Sequence, residues 1–182
     1  MAWEFDLLYW FQGLHHPVLD QVEKLITRFG DKGLFWIFLT LCMLIFVKDK
    51  RVGMTAALAL ITEAIICNLL LKNTVRRSRP CWLDTEIGLL IKSPKDYSFP
   101  SGHSSASFAV AVSILLYHRK WGIAAVIFAA LIAISRLYLF VHFPTDVLAG
   151  ILIGTVMAVI SGMIVKRSVE KHPELMDWKL RK

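Results

Sequence analysis

Apolar residues along this chain are gathered into long runs rather than set at the spacing of a soluble helix or strand. Gly33–Val47 holds no charge, Val52–Leu71 holds only Glu63, and Ser104–Tyr117, Trp121–Ser135 and Val147–Val165 hold none. A helix that crosses a bilayer needs roughly 20 mostly apolar residues, with a floor near 17. Val52–Leu71 and Val147–Val165 reach that length, and Trp121–Ser135 reaches it by continuing past Arg136 through Leu137–Val141. The first and third runs borrow from neighbours, Thr27–Gly30 and Pro100–His103. The pattern predicts an all-α polytopic membrane bundle of five to six helices, with five spans within residues 31–166. N-terminal interfacial or amphipathic helices occupy 1–30, and a basic cytoplasmic tail occupies 167–182.

The N-terminal segment divides at Pro17. Before it, Trp3, Phe5, Leu7, Leu8, Tyr9, Trp10 and Phe11 crowd together; such rings favour the headgroup level, which predicts an interfacial helix. No basic segment leads into an apolar stretch with a small-residue cleavage site, so this is not read as a signal peptide. After Pro17, Val18, Val22, Leu25, Ile26 and Phe29 recur at helical spacing, with Asp20, Glu23, Lys24 and Arg28 between them. That suits a helix lying on the membrane or leading into the first span, and equally an ordinary packing helix.

Composition sharpens the picture. Of 182 residues 56% are hydrophobic and 19% charged, with a mean hydropathy of +0.56. Soluble domains average about 45–50% apolar and about 25% charged. Disordered and collagen-like chains are excluded, and Cys42, Cys67 and Cys81 have neither disulfide parity nor zinc-ligand spacing. Lys and Arg number 21 against 14 Asp and Glu, for a net +7. Alternating five spans puts eleven of the bases in Lys48–Arg51, Arg119–Lys120 and the tail, and ten on the opposite face. That near-tie breaks only if bases on the second face have a specific task, in which case the positive-inside rule places the tail in the cytoplasm.

The second face has such a task available. Span two ends at Lys72, followed by Arg76, Arg77, Arg79 and Pro80; span three begins at Pro100-Ser101-Gly102-His103. Span four ends at Ser135-Arg136, and span five begins after His142-Phe143-Pro144-Thr145-Asp146. A helix start offers unpaired backbone N–H groups and a positive dipole end, a ready anion site. Gly102 allows close backbone approach and Ser101 adds a hydroxyl. Lys72, Arg79 and Arg136 supply the charge and forked donors that phosphoryl oxygens require, and a base interrupting an apolar span, as Arg136 does, is a functional hypothesis by default. Two histidines suit a nucleophile and a leaving-group acid. Asp146, four residues after His142, can orient and stabilise that ring.

These segments carry a family resemblance. Lys72, six residues and Arg79-Pro80; Pro100-Ser101-Gly102-His103; Ser135-Arg136, five residues, His142, three residues and Asp146 match the three signature motifs of the type 2 phosphatidic acid phosphatase family. That family also includes vanadium haloperoxidases and glucose-6-phosphatase. The resemblance implies that His142 is the nucleophile forming a phosphohistidine, supported by Asp146, that His103 is the general acid, and that Lys72, Arg79, Ser101, Gly102 and Arg136 hold the phosphate. It implies no cofactor and no metal. The expected partners are a lipid phosphate substrate and membrane lipids, with no nucleic acid. The favoured substrate is undecaprenyl diphosphate, with phosphatidylglycerophosphate and phosphatidic acid as alternatives, hydrolysed at the extracytoplasmic face of the cell membrane. A transporter or structural membrane protein is the alternative from another class.

Other features read as structural. Glu63 is expected to be protonated or hydrogen-bonded between helices, and Gly150 with Gly154 to serve tight packing within the bundle. Arg76 and Arg77 suit headgroup contact or plain solvation equally. The 81–99 loop, with apolar Ile87, Leu89, Leu90 and Ile91, faces the site as a lid or as a plain surface loop.

Overall fold

A computed structural model describes residues 2–176, so the last six residues of the expected tail lie outside it. The described residues form helices and turns without a strand, as the apolar runs predict. Helices α1 (Ala2–Gln12) and α2 (Pro17–Arg28) precede α3 (Leu34–Phe46) and α4 (Lys50–Ala64). The chain then winds as a π-helix over Ile65–Leu71 and returns to α geometry in α5 (Lys72–Val75). A short α6 (Pro80–Leu83) and a long loop lead to α7 (Gly102–Tyr117), α8 (Arg119–Tyr138) and α9 (Pro144–Lys171).

All five apolar runs fold as helices, yet they are unequal. The segment Lys50–Leu83, α8 and α9 are long and apolar enough to cross a bilayer; α2 and α3 reach that length only together, across a 40° bend. The 16 residues of α7 extend about 24 Å at ~1.5 Å per residue, short of a hydrocarbon core of ~30 Å. The shortfall has a physical reason. α7 is the hub on which α4, α8 and α9 pack, so protein rather than lipid covers it. Ser104 through Ala111 are buried without a break.

Close packing at the hub depends on small residues. A Cβ on Gly150 would lie 2.6 Å from the Ser101 carbonyl oxygen, and one on Gly154 would lie 2.3 Å from that of Ser105. This small-xxx-small face therefore packs α9 against the backbone of α7 within the bundle, as expected. Glu63 in α4 accepts from the Ser105 hydroxyl of α7 at 2.6 Å, the interhelical hydrogen bond anticipated for it.

α2 is amphipathic, with its polar side turned inward. Asp20 accepts from the Tyr138 hydroxyl at 2.5 Å, and Thr27 is buried against Arg136. Val18, Val22, Leu25 and Phe29 face outward, the arrangement an apolar solvent favours. In α1, Trp3, Tyr9 and Trp10 are exposed while Leu8 and Glu4 are buried. α9 continues through Lys171, into the segment read as the tail.

Candidate active site

The predicted residues converge because helix ends meet on one side of the bundle. Along the second span, Leu60, Glu63, Ala64, Asn68 and Lys72 share one wall of a cavity. In an α-helix each four-residue step drifts by about 40°; the wider π-winding between Glu63 and Lys72 offsets that drift and keeps Lys72 facing inward. Gly102 and His103 at the start of α7, Arg136 near the end of α8, His142 in the following turn and Arg79 complete the functional lining. The cavity holds about 1080 Å³, and its walls carry six Lys and Arg against Asp31, Glu63 and Asp96.

His142 is buried between two sets of partners. Arg79 Nη1 lies 3.1 Å from its Nε2, and because an arginine only donates, Nε2 is assigned as the unprotonated acceptor. On the other edge Nδ1 lies 3.7 Å from the Asp146 carboxylate, beyond hydrogen-bond range. Ser98 fills the gap: its Oγ is 3.4 Å from Nδ1 and donates to Asp146 at 2.5 Å. The orienting contact expected directly from Asp146 is thus relayed through a serine, which the sequence reading missed. Burial, then the charges of Arg79, Arg136 and Lys72, hold the His142 imidazole well below its ordinary pKa. A neutral ring with a free Nε2 lone pair is the nucleophilic form of an imidazole.

Asp146 is wholly buried. It accepts from the backbone N–H of Phe143 at 2.9 Å, capping α9, and from Arg77 at 2.6 Å. Arg77 also donates to Glu4 of α1 at 2.7 Å and to Thr145 at 2.6 Å. Its guanidinium lies 4.1 Å from the Phe143 ring centroid. Neither sequence reading of Arg77 holds: it is an internal clamp fixing α1 and the catalytic loop together. Arg76 is exposed.

The cationic residues differ in how they are matched. Lys72 donates to Asp96. Arg79 donates to the same carboxylate at 2.9 Å, and to the carbonyls of Asp96 and Val141 at 2.7 and 2.6 Å. Burial raises the Asp96 pKa, but the hydrogen bond and charge of Lys72 and the charge of Arg79 outweigh it and bring the carboxyl to about 2. An acid seated among bases expected to hold phosphate runs against the anion-site pattern, so the sequence did not single it out. Arg136 has no carboxylate partner among the described residues. One Nη donates to Thr27, and its buried Nε has no partner.

One predicted position sits differently from the expectation. Ser101 is buried behind the wall as the N-cap of α7, accepting from the Ser104 N–H at 3.4 Å and from its hydroxyl at 3.0 Å. Its hydroxyl is thereby turned to the helix and away from the cavity. Asp146 also lies behind the wall, in keeping with a supporting part. Gly102 does face inward, where a Cβ would come 3.2 Å from Asn68 Oδ1 and 3.9 Å from Lys72 Nζ. The 81–99 loop folds over the site: Ile91 through Asp96 line the cavity, and Ile87, Leu89 and Leu90 pack on the core.

A multi-pass helical membrane protein that sets two histidines among lysine and arginine donors is, by class, an enzyme of phosphate groups at a bilayer. Residues 52–170 match the family model described as PAP2 superfamily. The chain belongs to that superfamily. An undecaprenyl-diphosphatase of Sulfolobus acidocaldarius is 35% identical over 159 residues, spanning 87% of this chain and 76% of that protein. Among solved structures, Aquifex aeolicus LpxE aligns with a TM-score of 0.74 at 30% identity, covering 86% of this chain and 93% of that one. A transmembrane PAP2-type phosphatidylglycerolphosphate phosphatase from Bacillus subtilis aligns with a TM-score of 0.71 at 26% identity, covering 99% and 88%. The resemblance carried by the three motifs is borne out, and the chain is a PAP2-type lipid phosphatase.

Proposed function

We propose that the protein hydrolyses a lipid diphosphate, with undecaprenyl diphosphate as the favoured substrate, through a phosphohistidine on His142. The observation that carries this reading is the cavity itself, where His142 Nε2 faces Arg79 and shares one wall system with His103, Lys72 and Arg136. The likeness to the Sulfolobus undecaprenyl-diphosphatase supports the substrate. Leu34, Ile37 and Leu60 give the cavity an apolar flank suited to the lipid end of the molecule.

The reaction runs in two steps. The phosphoryl group displaces Asp96 from Lys72 and Arg79 and engages the unpartnered edge of Arg136. His142 Nε2 forms a bond to phosphorus as the bond to the leaving oxygen breaks, and His103 gives that oxygen its proton. Water then attacks phosphorus, passes a proton to His103, and the N–P bond breaks to restore His142. Three cations stabilise the equatorial oxygens throughout. Ser101 serves as the cap that presents Gly102, and no metal takes part.

The site faces the extracytoplasmic side of the cell membrane. Arg77, Arg79, Lys72 and Arg136 are all engaged on that face, which leaves the freer positive charge on the other. The test is phosphate release from undecaprenyl diphosphate, phosphatidylglycerophosphate and phosphatidic acid in detergent, with excess chelator. Wild type should act fastest on the diphosphate despite the chelator, and His142→Ala should be inactive. Equal release by His142→Ala, or loss of activity with chelator, overturns the mechanism; preference for phosphatidylglycerophosphate overturns the substrate. A single cysteine at Lys95 should be labelled in intact cells, and protection there would invert the topology.

A further inference from the structure

The proton donor of this reaction has a partner that the three motifs do not contain. His103 Nε2 lies 3.1 Å from Asp31 Oδ1. Asp31 opens a short 3-10 turn, Asp31–Gly33, at the bend between α2 and α3. Gly33 ends the turn with a φ of 66°, which glycine adopts without strain. The turn also presses against the ring. A Cβ on Gly30 would lie 2.4 Å from His103 Cδ2, 3.0 Å from its Cγ and 2.9 Å from Ile132. Backbone thus covers the Cδ2 side of the imidazole while a carboxylate holds Nε2. Nδ1, on the far side of the ring from that contact, makes no hydrogen bond with the described residues.

We propose that Asp31 is the positioning residue for the leaving-group acid: its carboxylate accepts from the Nε2–H of His103, fixes the ring, and leaves Nδ1–H to protonate the departing oxygen. The site then contains two histidine–carboxylate pairs of opposite hand. His142 turns Nδ1 to Asp146 and offers Nε2; His103 turns Nε2 to Asp31 and offers Nδ1. The proton balance closes. As the P–O bond breaks, its electron pair goes to the leaving oxygen, which takes the Nδ1 proton. The ring is neutral until the attacking water returns one.

The carboxylate also answers an electrostatic need. Arg136, Lys72 and His142 are the other charged or titratable groups facing His103, and none of them stabilises an imidazolium. Asp31 is the negative neighbour that does. It comes from the segment before residue 52, outside the stretch matched by the superfamily model, and so does Thr27, which holds Arg136. The N-terminal helices therefore complete the acid side of the site.

The inference rests on His103 being the general acid, and its test separates the two claims by leaving group. An alkoxide leaving group, as in phosphatidic acid or another lipid phosphate monoester, needs protonation, whereas p-nitrophenolate departs without it, so the lipid substrate of this test is a phosphate monoester. Asp31→Asn should lower kcat on the lipid substrate about tenfold, a modest loss because the carboxylate is 58% exposed. On p-nitrophenyl phosphate the loss should stay within about threefold, and KM should change little on either. With its anionic neighbour gone the imidazolium is less stable, so the basic limb of kcat moves to lower pH. Asp31→Glu should restore part of the rate. Gly30→Ala, which displaces the ring without altering charge, should show the same leaving-group selectivity. Equal losses on both substrates in Asp31→Asn, or no loss on the lipid, overturn the assignment of Asp31. If His103→Ala itself loses both activities equally, the general-acid reading of His103 falls, and Asp31 with it.

Discussion

On the proposed mechanism Asp96 occupies the place that a phosphoryl group needs, and replacing it should tighten phosphate binding. Asp96→Asn keeps the side-chain shape and one accepting oxygen while removing the charge held by Lys72 and Arg79. A hydrogen bond to a charged group contributes about 1.5–3 kcal/mol when well sheltered, but an exposed ion pair only about 0.2–1 kcal/mol. The Asp96 side chain is 54% exposed, so the two pairs together are worth about 1–2 kcal/mol. An incoming phosphate must first displace that much. Since ~1.4 kcal/mol is a factor of ten, Asp96→Asn should lower the inhibition constant of inorganic phosphate, and the KM of the lipid, about 5–30-fold.

The assay is competitive inhibition of lipid turnover by inorganic phosphate, measured on wild type and variant in the same detergent. With its pKa brought to about 2, Asp96 is ionised across the working range, so the ratio of constants should be flat from about pH 5 upward. An unchanged constant would mean the carboxylate does not compete. A weaker one would mean that Asp96 holds the two bases in place, and the displacement step would be withdrawn.

Three further outcomes follow from the geometry. Arg77→Ala leaves Glu4 and Asp146 buried without their shared cation, so unfolding in detergent should come about 3 kcal/mol more easily, with kcat reduced and α1 opened to protease. Gly154→Leu drives a side chain into the Ser105 carbonyl; thermal unfolding should show a loss of about 1–3 kcal/mol, while outward-facing Leu148→Ala should be near neutral. Because the His142 pKa is depressed, protonation of the nucleophile sets an acid limb of kcat/KM well below pH 6.5, and Arg79→Gln, which removes a nearby cation, should move that limb upward; an unmoved limb would assign it to another group.

The cations of the site were legible in the sequence because a base inside or beside an apolar span has few other uses. Their partners were not. Asp31, Asp96 and Ser98 lie in turns whose composition is ordinary, and an acid beside an anion site looks like an error until the geometry shows which bases it holds. Arg77 was open to two readings and fits neither, because its partner Glu4 lies 73 residues away. For α2, helical spacing told which residues share a face but not which face points inward. In a soluble protein the apolar side would be buried; here Asp20 and Thr27 take that place. The shortness of α7 and the π-turn before Lys72 also escaped, since hydropathy reports apolar length and is blind to whether protein or lipid covers it.

The charges of the cavity suggest why the substrate must be a phosphoryl group rather than any anion. Asp146 and Glu4 are balanced by Arg77, and Asp31 is matched to His103. Of the cavity's six Lys and Arg, Lys72 and Arg79 pair with the removable carboxylate of Asp96, and Arg136 has no carboxylate partner among the described residues. A monoanion replacing Asp96 would leave two positive charges unmatched in a site where burial magnifies the cost. A phosphoryl group brings close to two negative charges in the ground state, and its non-bridging oxygens can meet all three bases at once. The unpartnered Nε of Arg136 gains a partner only in that exchange. On the proposed mechanism, binding therefore trades one carboxylate for a larger, better-matched anion.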